Sequence, residues 1–211
     1  MQLFVNIWRF KKKFFHSILN KKIKINEEVN FGSKKTNSFF KKKIKESRVY
    51  FEYGSGSSTI IADKENKYYN SVELDKSFYL LILKKIKKKN SLKFINIGPV
   101  GEFSYPLFLN LKKIKEYINS VNIFFKKKTP NLILIDGRFR VACCLNLLRF
   151  KNKLIKNKTT IILDDFKKRK EYGILNDFFF IKKIDRFAIL KFKKKKLHYR
   201  ETLKKYYLDP R

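Results

Sequence analysis

The sequence predicts an α/β fold in which a mostly parallel sheet carries helices on both faces. Three observations carry that expectation. Between residues 48 and 176 short apolar runs alternate with amphipathic helical segments, the order of a parallel sheet wound through helical crossovers. A glycine turn, Gly54-Ser55-Gly56, joins a strand to a helix, and the following strand ends in an acid, Glu73, nineteen residues after Gly54. Near the end, two apolar runs flank Asp185-Arg186 as a tight hairpin, which turns the last strands antiparallel.

Residues 1–25 mix Phe4, Ile7, Trp8, Phe14, Phe15, Ile18 and Leu19 with Arg9, Lys11, Lys12 and Lys13, a pattern for an amphipathic helix. Its apolar face needs a partner, either the domain itself or the surface of an anionic membrane. Polar residues 26–36, with Gly32, read as a linker, and 38–46 as a short basic helix. The alternation follows: strand 48–53, helix 57–64, strand 69–74, helix 77–88 with Phe78, Leu81, Ile82 and Ile86 on one face, and strand 92–97. Two glycines and two prolines make residues 98–106 a stiff loop that should line a site, before a helix over about 107–118. Leu132-Ile133-Leu134-Ile135 is the most apolar strand, as expected of a central parallel strand buried on both faces, and it runs into Asp136-Gly137. A helix over 140–150, a strand over 159–163 ending in Asp164-Asp165, a helical stretch over about 168–176 and the hairpin 178–192 complete the domain. From residue 193 the chain is basic, and a mobile tail is expected. The organisation is thus 1–35 N-terminal helix and linker, 36–193 the α/β domain, and 194–211 the tail.

A chain of 211 residues suits one domain with a substantial core. The formal net charge of +34 points to nucleic acid or an anionic membrane, or to a solvated lysine-rich surface, because lysine, asparagine, isoleucine and phenylalanine are abundant together and the lysines are scattered everywhere. Cys143 and Cys144 are adjacent in an apolar helical run, which argues against a mutual disulfide and lacks metal-ligand spacing. With no long apolar run and no secretory pattern, a cytoplasmic protein is the expectation. His16 and His198 lie outside the proposed core and have no evident triad partner.

The strand-turn-helix-strand-acid order builds a βαβ unit over which a nucleoside can lie, its ribose on the acid. Thr59, where a dinucleotide fingerprint wants a third small residue, and Glu52, an acid before the first glycine, favour S-adenosylmethionine over a dinucleotide. Five alternating strands with a terminal hairpin resemble the class I S-adenosylmethionine-dependent methyltransferases over about residues 36–193. The segments Phe51-Glu-Tyr-Gly-Ser-Gly-Ser-Ser58, Ile97-Gly-Pro-Val-Gly-Glu102 and Ile135-Asp-Gly-Arg-Phe-Arg-Val-Ala142 are similar to a bacterial group within them. The resemblance implies a Rossmann-like, seven-stranded sheet with its last strand antiparallel. It implies that Glu52, Gly54, Gly56 and Ser57 shape the methionine pocket, that Glu73 takes the ribose hydroxyls, and that Asn96 stands where relatives hold the adenine with an acid.

The resemblance extends to catechol-type O-methyltransferases, in which acids after strands four and five hold magnesium. It implies a metal site at Asp136, Asp164 and Asp165 for Mg2+, which would bind and acidify a substrate hydroxyl. The alternative is Asp136 acting alone as base, with Asp164 and Asp165 capping the next helix. Arg138 and Arg140 are placed either to bind an anionic substrate group or to pair with nearby acids. Glu102 and Tyr105 are placed as substrate contacts or as loop-fixing residues.

The leading functional expectation is O-methylation of a small-molecule or glycan hydroxyl. An RNA methyltransferase is a second reading, although Asp136-Gly-Arg-Phe139 stands where a base-methylating Asn-Pro-Pro-Tyr motif would be. A third is a non-catalytic, basic protein that binds nucleic acid or membrane on a methyltransferase-like fold.

Overall fold

Along β1 (Val49–Tyr53) the side chains alternate between two cores, Tyr50 and Glu52 to one face and Phe51 and Tyr53 to the other, so both faces of this strand must be covered. In the computed structural model, which describes residues 25–167, 169–194 and 198–211, that strand lies in the middle of a seven-stranded sheet. The order is β3 (Leu92–Phe94), β2 (Tyr68–Glu73), β1, β4 (Leu132–Ile135), β5 (Thr160–Leu163), β7 (Phe187–Phe192), β6 (Phe179–Ile184). Strands β1 to β5 are parallel, while β7 is antiparallel to both β5 and β6.

β4 is buried at every position because it is flanked by β1 and β5 and covered on both faces. Ile133 and Ile135 meet the larger core, built with α4 (Leu111–Ile118), α5 (Ser120–Lys127), α6 (Arg140–Asn146) and α8 (Tyr199–Tyr206). Leu132 and Leu134 meet the opposite core with Phe40 and Ile44 of α1 (Lys34–Glu46). A third cluster joins Ile60 of α2 (Ser57–Lys64) to Ile82 of α3 (Lys76–Lys85), Ile86 and Leu92.

Several local expectations change. The linker is not a free spacer: Val29 and Phe31 are buried, Phe31 packs against Phe40 and Phe187, and Ser33 caps α1 by accepting from the Thr36 N–H. The helix over 107–118 starts four residues late, at the Asn110 cap, and α5 follows it after Asn119. Residues 140–150 divide into α6 and a 3-10 turn, continued by α7 (Lys151–Lys156), and 3-10 geometry replaces the helix over 168–176. The tail is anchored rather than free. Helix α8 buries Leu203 in the larger core, and the carbonyls of Pro210 and Arg211 accept from the N–H groups of Phe139 and Arg140 at the start of α6.

The amphipathic N-terminal segment, residues 1–24, lies outside the described residues. Among the described residues, no helix is long and apolar enough to cross a membrane. Cys143 and Cys144 are buried and unpaired, and burial pushes both thiols up, which suits inert core residues.

Candidate functional site

The sheet order reverses between β1 and β4, whose crossovers leave in opposite directions, and a crevice opens there at the carboxyl ends of the strands. Its volume is about 960 Å³, enough for a nucleoside-sized ligand beside a second small molecule. Gly54 and Gly56 have different jobs in it. Gly54 has φ +86°, its N–H donates to the Val72 carbonyl, and a Cβ would meet the Gly137 nitrogen at 2.9 Å and Cα at 3.0 Å. Only glycine lets the β1 and β4 turns touch in this way. Gly56 is extended, and a Cβ there would meet nothing within 4 Å. Its bare backbone therefore leaves open space beside the crevice it lines.

Glu73 ends β2 at the crevice wall. Oε2 accepts from the Ser55 N–H at 3.0 Å and the Ser55 hydroxyl at 2.9 Å. Oε1 accepts from the Leu74 and Asp75 N–H groups at 2.8 and 2.9 Å and from the Ser104 hydroxyl at 3.0 Å. The carboxylate is thus aimed by three backbone N–H groups while two of its partners are hydroxyls, the group a ribose would present. Leu74 and Phe78 add apolar lining next to it, and Asp75 caps α3 by accepting from Ser77 and Phe78. An open glycine turn, an aimed carboxylate and an apolar wall fit an adenosine-bearing ligand.

Glu52 does not line the crevice. It is fully buried on the opposite face of β1, where Tyr50 and Ser58 donate to it at 2.6 Å and Thr59 and Ser71 complete the set. Burial pushes its carboxyl up, with the four hydroxyl donors opposing. Its position ties α2 to β1 and β2 beneath the glycine turn, so pocket-shaping by direct contact gives way to support from below. Asn96 is exposed and accepts from the Gly98 N–H at 3.0 Å, beyond a third strand that ends at Phe94, short of the expected residue 97. It does not line the crevice either. Ser57 and Glu102 do, whereas Tyr105 lies behind Arg138, whose guanidinium stands 5.9 Å from its ring centroid.

The three aspartates after β4 and β5 do reach the crevice, each already held by a guanidinium. Asp136 Oδ1 lies 3.0 Å from Arg140 Nη2, and Arg140 also donates to the carbonyls of Asp136, Gly137 and Asp164. Asp164 is gripped by Arg186 through two bonds of 2.8 and 2.6 Å, and Asp165 by Arg169. Burial and the neighbouring Asp136 charge push Asp164 up to about 7, against the pull of Arg140 and Arg186. This donor set does not fit a magnesium ion. Three cations already occupy the carboxylates, and among the described residues no group of three acids, histidines or cysteines is arranged to hold a metal. The expectation of a metal at Asp136, Asp164 and Asp165 is therefore corrected to an arginine-aspartate lattice, and the helix-capping alternative for Asp164 and Asp165 also yields to their guanidinium partners.

Ser55, Ser104, Tyr117, Arg169 and Arg186 line the same crevice without having been anticipated as site residues. Ser55 lay inside the glycine motif, and Arg169 stands four residues after Asp165, so both left some sequence signal. Arg186 reaches Asp164 only because β7 pairs with β5, a tertiary fact.

No family model matches the chain, and no curated protein matches it in sequence. Among solved structures, a methyltransferase-like protein from Silicibacter pomeroyi is similar over 88% of this chain and all of its own, with TM-score 0.67 and 21% identity. An O-methyltransferase from Bacillus cereus, solved in complex with S-adenosylhomocysteine, aligns over 96% of this chain and 86% of its own with TM-score 0.39 and 12% identity. What the first of these shares with this chain is the fold, a Rossmann-like, mostly parallel sheet closed by an antiparallel strand.

Proposed function

We propose that the chain is an S-adenosylmethionine-dependent methyltransferase acting on a hydroxyl of a small molecule or glycan. The observation that carries the proposal is the Glu73 carboxylate, fixed at the switch-point crevice beside an open glycine turn with two hydroxyls already on it. Those hydroxyls belong to Ser55 and Ser104, and a ribose diol offers the same donors.

Glu73, Gly54, Ser55 and Gly56 would hold the nucleoside and the methionine backbone. When bound, S-adenosylmethionine supplies a methyl group on a sulfonium, which an acceptor oxygen takes by in-line displacement while the sulfur keeps the bonding pair. Asp136 sits on the β4 side of the crevice, 38% exposed, and Arg140 fixes it from behind. In this reading its carboxylate takes the proton that the acceptor hydroxyl gives up. Arg140 orients that carboxylate through its carbonyl and carboxylate contacts, a positioning role. Holding the reacting groups in line supplies much of the rate in such a transfer.

Calorimetric titration of S-adenosylhomocysteine into the protein and into Glu73→Gln tests the reading. Micromolar binding that the substitution weakens by about tenfold or more is expected, since a hydrogen bond to a charged group contributes about 1.5 to 3 kcal/mol. Absence of binding to the folded wild-type protein would sink it.

A further inference from the structure

We propose that Arg138 anchors an anionic group, a carboxylate or a phosphate, on the methyl acceptor. The inference rests on the methyltransferase reading for its word "acceptor", and on the geometry of the crevice for its anion. Four arginines line that crevice, and three are committed: Arg140 to Asp136, Arg169 to Asp165 and Glu171, Arg186 to Asp164 and Asp165. Arg138 differs. Its Nε donates to the Phe103 carbonyl at 2.7 Å and its plane stands near the Tyr105 ring, so the side chain is aimed by neutral groups alone. Among the described residues it makes no ion pair, and its two terminal amino groups have no partner. Two parallel N–H donors on a fixed guanidinium match a carboxylate or phosphate edge, which a lone ammonium would not.

The charge around the side chain points the same way. Burial and the like charges of Arg140 and Arg169 press Arg138 down to about 10, against the weaker pull of Tyr172 and Asp136. The Tyr117 hydroxyl, wholly buried, also lines the crevice and stands against Gly137, where a Cβ would overlap it, within reach of the Arg138 backbone N–H. Arg138 follows Asp136 by two residues, so an anchored anion would set the acceptor hydroxyl at a fixed reach from the proposed proton acceptor.

The test follows the Nε–H resonances of the arginines in protein labelled at arginine nitrogen. Inorganic phosphate and acetate are titrated separately at constant ionic strength, with and without S-adenosylhomocysteine. A saturable shift confined to Arg138 at millimolar anion is expected, together with a saturable rise in thermal midpoint on the same anion that Arg138→Gln loses. The anion that saturates first identifies a phosphate or a carboxylate acceptor. Shifts of equal size at Arg149 and Arg211 would mean diffuse attraction to a basic chain and would overturn the proposal, as would no saturation with either anion. If S-adenosylhomocysteine, which keeps the donor's amino-acid carboxylate, abolishes the phosphate shift, Arg138 holds the donor's own carboxylate and the acceptor assignment is wrong. S-adenosylhomocysteine binding without any anion response defeats this inference alone, while an Arg138 response in a protein that binds no nucleoside defeats the methyltransferase reading and leaves the anion site standing.

Discussion

Adding one methyl group at Gly54 and at Gly56 should separate folding from binding. At Gly54 the backbone is left-handed at φ +86°, and the new Cβ would meet the Gly137 nitrogen and Cα at 2.9 and 3.0 Å and the Asp136 carbonyl carbon at 3.1 Å. All three are backbone atoms of the β4 turn, so no side chain can swing away. Strained φ costs about 1 to 3 kcal/mol and forced overpacking about 1 to 3 more, so Gly54→Ala should lose about 2 to 6 kcal/mol of stability. At Gly56 the backbone is extended and the Cβ has nothing within 4 Å, so Gly56→Ala should leave stability unchanged to within about 1 kcal/mol. The same methyl would intrude on the space the ligand needs. It should weaken S-adenosylhomocysteine by about tenfold, or 1.4 kcal/mol. Urea unfolding reads the first quantity and calorimetry the second. The reasoning is refuted if Gly56→Ala unfolds the protein as Gly54→Ala does, or if it folds normally and binds as tightly as wild type.

Glu52 gives a pH signature: its folded carboxyl is raised by burial, so its contribution to stability is fully present below the unfolded value near 4.5 and is lost as pH rises through the folded value. Urea midpoints from acid to neutral pH should show wild type falling behind Glu52→Gln as pH rises, and a gap that widens towards acid would contradict this. Glu52→Ala should cost about 2 to 4 kcal/mol at acid pH, because four buried hydroxyls lose their acceptor, and less as pH rises and the wild-type contribution fades. Arg186→Met strands the buried Asp164, and because Arg186 is 34% exposed the loss should be about 2 to 3 kcal/mol in chemical denaturation, somewhat below the range for wholly buried pairs. Millimolar magnesium should raise the thermal midpoint no more than sodium chloride of equal ionic strength, and a saturable rise would mean that a cation displaces the guanidinium groups.

The central strands were legible because their apolar runs are long and uninterrupted, and the hairpin because Asp185-Arg186 separates two such runs. Helices α5 and α7 were not, since Lys126, Lys127, Lys151, Lys153 and Lys156 break any apolar stripe. Nothing local announces that the Pro210 and Arg211 carbonyls satisfy the start of α6; that bond depends on the closed fold. At the site, Gly54, Gly56, Glu73 and Asp136 reach the crevice because each ends a parallel strand or turns from one. Glu52 was misplaced for a reason the strand period could have revealed. It shares the face of Tyr50, not that of the turn. The aspartates are legible, and so is the pairing of Arg140 with Asp136 as one alternative, but Arg186 and Arg169 are not, because their pairing is set by β7 and by the loop after β5.

The crystal structure of the protein with S-adenosylhomocysteine tests the central claim most directly. The account predicts the ribose hydroxyls on the Glu73 carboxylate in place of the Ser104 hydroxyl, with the sulfur facing the Asp136 side of the crevice. A nucleoside bound elsewhere, or a crevice that excludes it while Ser55 and Ser104 keep Glu73, would contradict it.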